Sequence, residues 1–266
     1  MDKLLEEARQ RDQADSLGSF RDRFWIPSYR DGGSQAYFCG HSLGLQPRTA
    51  ETAVHAIMDS WRQRGVQGHF SGDPAWTEYN DLLCTGLAAL TAAEPAEIVV
   101  MNTLTVNLHL MMVSFFRPRG RRRKILIERN AFPSDRYAVA SQLRLHGLDP
   151  ETCLVELDLA PLTTGPSPES RVEDWLTEHG QETALVLLPG VQYISGQAFN
   201  LERLSRAAYG AGARIGFDLA HAIGNLPLDL PASGCDFAAW CHYKYLNGGP
   251  GAIGGCYVPG RHHDPA

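Results

Sequence analysis

Hydrophobic residues along the chain alternate between short unbroken runs and longer stretches with helical spacing. Short runs are typical of strands that are buried on both faces, and single amphipathic stretches separate most of them. The predicted strands are 98–101, 124–128, 153–157, 184–188, 214–218, 236–241 and 252–258. The predicted helices are 2–15, 48–64, 75–92, 104–116, 134–147, 171–179 and 201–210. This order predicts an α/β fold in which helices flank a mostly parallel sheet.

Composition limits the functions that we expect of the chain. Of its 266 residues, 44% are hydrophobic and 20% are charged, as in a folded globular protein. The net charge of −6 gives no electrostatic basis for binding nucleic acid. No apolar run approaches the length of a membrane span, and the N-terminus lacks a signal-peptide core, so we expect no membrane association. The six cysteines are scattered without a C-x-x-C pair, which favours reduced thiols in the cytoplasm over disulfides or a metal site.

One lysine stands out in a chain that otherwise uses arginine for positive charge. Only three of the 24 basic residues are lysines, and Lys3 and Lys124 lie in charged, solvated stretches. Lys244 instead ends the apolar strand segment that begins at Asp236, and it precedes a glycine-rich loop. A partly desolvated lysine amine loses its proton more readily, and a neutral amine can form a Schiff base. We therefore predict that Lys244 is a catalytic residue.

Polar and aromatic residues follow several of the other predicted strands, at the carboxyl ends where such sheets bind ligands. Pyridoxal phosphate (PLP) requires a set of this kind. Its aldehyde requires an amine, and its ring nitrogen requires a carboxylate. Its phosphate requires a helix N-terminus with a hydroxyl, and its ring requires an aromatic side chain on which to stack. The candidates are, in that order, Lys244, Asp218, Thr105 and Phe132, with His221 and Tyr243 as further phosphate donors.

Each of these residues taken alone also has an ordinary structural explanation. Asp218 can cap a helix, Phe132 can belong to the core, and His221 can be a satisfied, partly buried histidine. The combination favours PLP, because a strand-end acid is followed 26 residues later by a strand-end lysine and a glycine-rich loop. The C-terminal run 262–264 is a weak metal signal, and we interpret it as a solvated tail.

Five runs of the sequence resemble kynureninase, in order, between about residues 36 and 258. They are 38–47, 102–112, 132–135, 216–225 and 240–251. The resemblance implies the aspartate-aminotransferase type of fold (fold type I of PLP enzymes) and a homodimer. It also implies PLP-dependent cleavage of L-kynurenine, or 3-hydroxy-L-kynurenine, to an anthranilate and L-alanine.

The resemblance implies roles for individual residues as well. Lys244 would bind the cofactor covalently, Asp218 would pair with its ring nitrogen, and we expect Tyr243 to be the general acid. The implied cofactor-binding residues are Leu104, Thr105, Phe132, Pro133, Ser134, Asp135, Asp218, His221, Tyr243 and Lys244, and the implied substrate-binding residues are Ser42 and His69. Pro189 stands where the family often has a hydroxyl residue, so we expect any contact there to be apolar or through its carbonyl.

The resemblance also suggests how the chain is divided. We expect an N-terminal helical arm (1–35) and a PLP-binding large domain (36–266). Family members continue into a smaller C-terminal domain that carries the arginine for the substrate carboxylate, and we expect this chain to lack that domain.

Two alternatives stay open. One is another enzyme of the same fold, such as a cysteine desulfurase or a class V aminotransferase. A desulfurase needs a mobile cysteine after the lysine, whereas Cys256 lies in a predicted strand. The other alternative is a non-catalytic protein that binds the cofactor or a partner, which would need neither Lys244 nor Asp218.

Overall fold

A seven-stranded sheet forms the centre of the structure, a computed structural model that describes residues 2–161 and 164–263. The helices are α1 (Asp2–Ala14), α2 (Ala50–Arg64), α3 (Tyr79–Thr91), α4 (Leu104–Phe115), α5 (Pro133–Leu145), α6 (Pro150–Cys153), α7 (Pro168–His179), α8 (Leu201–Gly210) and α9 (Leu230–Ser233). The strands are β1 (Phe24–Trp25), β2 (Gln46–Pro47), β3 (Ile98–Met101), β4 (Lys124–Glu128), β5 (Leu154–Leu157), β6 (Thr183–Pro189), β7 (Arg214–Asp218), β8 (Phe237–Cys241) and β9 (Gly254–Tyr257).

The strand order in the large sheet is β3-β9-β8-β7-β6-β4-β5. The pairs from β8 to β5 are all parallel, whereas β9 runs antiparallel to both of its neighbours. The prediction of a mostly parallel sheet flanked by helices is therefore confirmed. Because β9 runs antiparallel to β8, the segment that joins them reverses direction at the carboxyl end of β8.

Two hydrophobic clusters cover the two faces of this sheet. Along β4, Leu126 belongs to one cluster, whereas Ile125 and Ile127 belong to the other, as the alternation of side chains along a strand requires. The first cluster includes residues of α3, α7 and α8, and the second includes residues of α4 and α5. Burial on both faces explains why the strands appear in the sequence as unbroken apolar runs.

Caps explain two helix boundaries in the chain. The Asn200 side chain accepts a hydrogen bond from the Arg203 amide, so α8 begins at the predicted residue. The Ser167 side chain accepts from the Ser170 amide, and Pro168 occupies the first helical position. As a result α7 begins three residues before its prediction, which counted hydrophobic spacing alone.

The structure corrects the position of Lys244 relative to its strand. β8 ends at Cys241, three residues before the lysine, which lies in the following turn. The His242 carbonyl accepts a hydrogen bond from the Gly248 amide at 2.8 Å and not from a neighbouring strand. The strand therefore ends before His242. The turn, and not the strand itself, therefore sets the direction of the Lys244 side chain.

The N-terminal part of the chain contributes little to this core. No residue of α2 is buried, and every described side chain of α1 is exposed. The division between 1–35 and 36–266 stays a prediction, and residues 264–266 lie outside the described part. Among the described residues, no helix has both the length and the apolar character needed to cross a membrane.

A buried carboxylate joins the C-terminal segment to the opposite, amino-terminal edge of the sheet. Asp236 is fully buried, and its oxygens accept from Arg214 Nη1 at 2.8 Å, the Ile215 amide at 2.9 Å and Tyr209 Oη at 3.2 Å. His262 Nε2 lies 2.9 Å from the same carboxylate. The interpretation of 262–264 as a solvated tail is therefore wrong for His262, and Asp264 lies outside the described residues.

We predict that Asp236→Ala lowers the free energy of unfolding by about 3 kcal/mol, because it leaves buried donors without an acceptor. Urea denaturation followed by circular dichroism measures this change. The control is Glu156→Ala, which removes a half-exposed ion pair with Arg136 and should cost about 1 kcal/mol or less. Equal losses in the two variants would contradict a special role for the buried carboxylate.

Candidate active site

A cavity of about 180 Å³ lies at the carboxyl ends of the central strands, beside the first turn of α4. Its lining residues are Thr103, Leu104, Thr105, Phe132, Ser134, Asp218, His221, Tyr243 and Lys244. Eight of these nine are among the residues predicted from the sequence, and they come from four separate segments of the chain. Of the other predicted residues, Asp135 lies directly behind the cavity, whereas Pro133 is exposed on α5.

Lys244 is buried in this cavity and is held by its turn. The Lys244 carbonyl accepts from the Asn247 amide at 3.1 Å, and Asn247 adopts a left-handed conformation with φ of 55°. The Lys244 Nζ lies 2.8 Å from His221 Nε2. Burial, with the positive charge of Lys244 beside it, lowers the pKa of His221 to about 4. At neutral pH His221 is therefore uncharged, and its ring nitrogen can accept a hydrogen bond from the Lys244 Nζ.

Asp218 ends β7 and shares the cavity with the lysine. Its Oδ1 accepts from the Ala220 amide at 2.7 Å, and burial raises the pKa of the Asp218 carboxyl. Asp135 lies beside it, and burial together with the charge of Asp218 raises the pKa of Asp135 to about 9. The pair therefore resists carrying two negative charges at once. Asp218 is a buried acid, and a protonated ring nitrogen beside it would form an ion pair with its carboxylate.

The first turn of α4 offers free backbone N–H groups at the other end of the cavity. The turn is fixed by Asn107, a fully buried side chain that donates to the Met101 carbonyl at 2.8 Å. Gly254 of β9 donates to the Asn102 carbonyl at 2.6 Å, and any side chain at Gly254 would overlap neighbouring backbone. The helix N-terminus and the Thr105 hydroxyl together form a site that suits a phosphate.

Phe132 forms one wall of the cavity. Its side chain is 45% exposed, so one face of the ring is open to a flat ligand. The ring contacts Tyr193 edge to face, with 5.2 Å between the centroids. Tyr193 also lies 6.4 Å from the His221 ring. Sequence reasoning assigned no role to Tyr193, which lies in the turn that follows β6.

A loop before α2 packs against the lysine turn. The Gly44 amide donates to the Tyr243 carbonyl at 2.8 Å, and a Cβ at Gly44 would overlap Lys244 O and Asn247. Only glycine allows this approach. Ser42 is exposed in the same loop and does not line the cavity. The loop therefore lies next to the site, but its predicted substrate contact stays a prediction.

The structure does not bring His69 into the cavity. His69 is exposed and packs edge to face on Trp76, with 5.2 Å between the ring centroids. Pro189 ends β6 directly opposite Asp218 in the sheet register and lines a small void behind the cavity. The expectation that any contact of Pro189 with a ligand is apolar or through its carbonyl stays a prediction.

The residues of the cavity fit PLP on three independent grounds. Within the described residues, one cavity brings together a buried amine, a buried acid that forms no salt bridge, and a helix N-terminus with a hydroxyl. The exposed face of Phe132 adds a surface on which a ring can stack.

Comparison with known proteins agrees with this geometry. The family model for class V aminotransferases matches residues 84–263. A kynureninase from Xanthomonas euvesicatoria pv. vesicatoria is 55% identical over 251 residues, and one from Stenotrophomonas maltophilia is 54% identical over 252 residues. These matches cover 94% and 95% of this chain, which spans 59% of the length of each relative.

Solved structures show the fold. A cysteine desulfurase from Thermococcus onnurineus superposes with a TM-score of 0.66, over 85% of this chain and 54% of its own. A C-DES mutant with glycine covalently linked to its PLP cofactor superposes with a TM-score of 0.71, over 85% of this chain and 57% of its own. Both are 20% identical in sequence, so the likeness concerns the fold, which is the aspartate-aminotransferase type.

We predict that Gly44→Ala displaces the loop from the lysine turn, because the new methyl group overlaps backbone atoms that cannot move aside. Hydrogen exchange of the residue 44 amide should then be at least about tenfold faster, as expected for loss of one hydrogen bond. Gly86→Ala is the control, since Gly86 lies in α3 with open space at its Cβ. Unchanged exchange at residue 44 would show that the loop tolerates a side chain there.

Proposed function

The chain belongs to the class V aminotransferase family, and we propose that the full-length protein is a PLP-dependent kynureninase. It hydrolyses the Cβ–Cγ bond of L-kynurenine, or of 3-hydroxy-L-kynurenine, and releases anthranilate (or 3-hydroxyanthranilate) and L-alanine. Such a reaction belongs to tryptophan catabolism and NAD biosynthesis. The observation that carries the proposal is the shared cavity in which Lys244 and Asp218 are both buried beside the N-terminus of α4. The names of the relatives support the choice of reaction within the family.

PLP, when bound, supplies an aldehyde that captures the substrate amine and a ring that accepts the electron pair of a broken bond. We propose that Lys244 binds it covalently and that Asp218 holds a proton on its ring nitrogen. Leu104, Thr105, His221 and Tyr243 hold its phosphate, and Phe132, Pro133, Ser134 and Asp135 border its ring. Ser42 and His69 contact the substrate, which requires His69 to move from its place on Trp76.

With PLP bound, Lys244 would be the base that removes the substrate α-proton. Its neighbour His221 is neutral and lies 2.8 Å from the lysine Nζ, so it can accept a hydrogen bond from Nζ and orient the amine in the cavity. Asp218 in turn keeps the ring cationic, because a carboxylate in a buried cavity strongly favours a positive partner.

Tyr243 is the proposed general acid. Its ring lies 5.9 Å from the Lys244 Nζ, and burial raises the pKa of the Tyr243 phenol to about 12. The hydroxyl therefore retains its proton at neutral pH and can donate it to carbon or oxygen in the cavity.

The fold alone also suits a cysteine desulfurase, but the described cysteines disfavour that function. Cys256 is fully buried in β9, and burial raises the pKa of its thiol to about 12. A buried protonated thiol is a poor nucleophile. The described cysteines are all unpaired, which is consistent with a cytoplasmic enzyme.

We also propose a homodimer, in which a second copy covers the outer face of α4. This helix is mostly apolar, and its apolar residues are distributed around its circumference and not confined to one face. One face packs into the core, whereas Val106, Leu110 and Val113 form an exposed stripe at helical spacing. Because α4 begins at the cavity, a partner on this stripe would lie beside the active site.

We predict that Lys244→Ala in the full-length protein lowers the turnover of L-kynurenine at least about 100-fold, since both the covalent attachment and the base are lost. The fluorescence of released anthranilate measures turnover. Absorbance above roughly 400 nm measures the cofactor that is bound covalently to the lysine. Lys124→Ala is the control, because Lys124 pairs with Glu182 at the far end of β4. Unchanged turnover in Lys244→Ala would refute the assignment, and an inactive unmodified protein would favour a non-catalytic cofactor-binding homologue.

For the dimer, we predict that Leu110→Asp raises the dissociation constant of the full-length homodimer at least about tenfold, because it places a charge in an apolar interface. Analytical ultracentrifugation measures the constant. Leu145→Asp is the matched control on an exposed leucine at the end of α5. A dimer equally stable in both variants would place the interface elsewhere.

A further inference from the structure

Trp240 and His242 form a contact that the proposed mechanism does not use. The Trp240 side chain is fully buried in β8, and its Nε1 lies 2.9 Å from His242 Nε2. An indole nitrogen can only donate a hydrogen bond, so the imidazole nitrogen is the acceptor. The proton of the neutral imidazole must then lie on Nδ1. Burial lowers the pKa of His242, in agreement with a ring that stays uncharged at neutral pH.

The fold places these two side chains on one side of the sheet. Trp240 packs in the hydrophobic cluster on the face opposite α4, and residues two positions apart in a strand point to the same side. His242 follows the last residue of β8, and its bond with Trp240 continues this alternation past the strand. Gly255 lies opposite Trp240 in the register of β8 and β9, and a Cβ there would lie only 2.7 Å from the indole nitrogen. The glycine therefore leaves room for the indole ring beside β9.

His242 is also the residue that closes the turn around Lys244. The His242 carbonyl accepts from the Gly248 amide at 2.8 Å, and the Lys244 carbonyl accepts from the Asn247 amide at 3.1 Å. Both of these hydrogen bonds lie within the turn itself. The bond between Trp240 and His242 instead joins the turn to the core of the sheet. The carbonyl that holds Gly248 thus belongs to a residue whose side chain is attached to a fully buried neighbour.

We infer that His242 is a positioning residue for Lys244: its imidazole joins the lysine turn to the Trp240 indole and so limits the directions that the lysine amine can take. Without this bond, the backbone alone would hold the carbonyl that accepts from Gly248, and the turn would open more often. The inference rests on the proposed function, because the lysine is positioned for PLP.

A double-mutant cycle and one conservative variant test the inference. His242→Phe keeps an aromatic ring but removes the acceptor, and Trp240→Phe removes the donor. His242→Gln places a carbonyl oxygen near the position of the imidazole Nε2 and so keeps an acceptor. The first readout is hydrogen exchange at the Asn247 and Gly248 amides in the full-length protein without cofactor. The second is the dissociation constant for PLP, measured by the absorbance of the lysine-bound cofactor.

We expect His242→Phe to speed exchange at both amides by about tenfold, the effect of one buried hydrogen bond. It should raise the dissociation constant for PLP at least about threefold, because a smaller fraction of the protein holds the lysine in place. In the Trp240→Phe background, His242→Phe should change both readouts by less than about twofold, since the donor is already absent. His242→Gln should stay within about twofold of the unmodified protein, because the indole keeps an acceptor.

His146→Phe is the matched control for loss of a hydrogen-bonded histidine ring. The Nε2 of His146 lies 3.3 Å from Gln142 Nε2, at the opposite end of α5 from the cavity. This variant should leave both readouts unchanged. Equal effects of His242→Phe and His146→Phe would overturn the inference, and so would an undiminished effect of His242→Phe in the Trp240→Phe background.

Trp240→Phe removes volume from the core and lowers stability, so circular dichroism must confirm that the variant folds. If it does not fold, the comparison between His242→Phe and His242→Gln decides. A large effect of His242→Phe with a small effect of His242→Gln supports the inference, whereas equal effects of the two overturn it.

The two readouts separate this inference from the proposed function. If exchange changes as expected but the unmodified protein binds no PLP, then the proposed function fails and the attachment of the turn to the core stands. If PLP binds and kynurenine is cleaved, but His242→Phe leaves the affinity for PLP unchanged, then the positioning role fails and the proposed function stands.

Discussion

The arrangement of the site depends on the burial of an ammonium group and a carboxyl group within one cavity. Lys244 and Asp218 are each only 8% exposed, so water solvates neither group fully. Such burial is unfavourable unless each group finds partners, and the partners here are His221 for the lysine and the Ala220 amide for the acid. What remains unsatisfied is a cation for the acid and an electrophile for the amine, and PLP offers both.

Close backbone approach is the second requirement of the site. On one side of the site, the loop that contains Gly44 packs closely against the turn that holds Lys244. On the other side, β9 packs closely against the first turn of α4. Gly44 and Gly254 stand at these two contacts, and in each case a side chain would overlap backbone atoms. The glycine-rich character of the segments around Lys244 is thus a packing requirement as much as a feature of the turn itself.

Three carboxyl groups lie near one ammonium group in this part of the protein. Asp218, Asp135 and Glu128 border the same small void, and the described ion pairs give none of them a cationic partner. Burial raises the pKa of all three, so they share protons instead of all being ionised. A bound cofactor with a protonated ring nitrogen would add the missing positive charge on the Asp218 side.

The sequence by itself determined the sheet, most of its helices and the residues that line the cavity. β3, β4, β7 and α8 have the bounds that hydrophobic spacing predicts, because buried strands and amphipathic helices record their periodicity locally. The acid, the lysine and the helix N-terminus were also visible, since each follows a recognisable strand. What only the tertiary structure decided are the turn that orients Lys244, the place of His69 on Trp76, the burial of His262 against Asp236, and the packing of Tyr193 on Phe132. Gly44 and Tyr243 are 199 positions apart (243 − 44) and leave no periodic signal in one sequence, because only the fold brings the loop before α2 to the lysine turn.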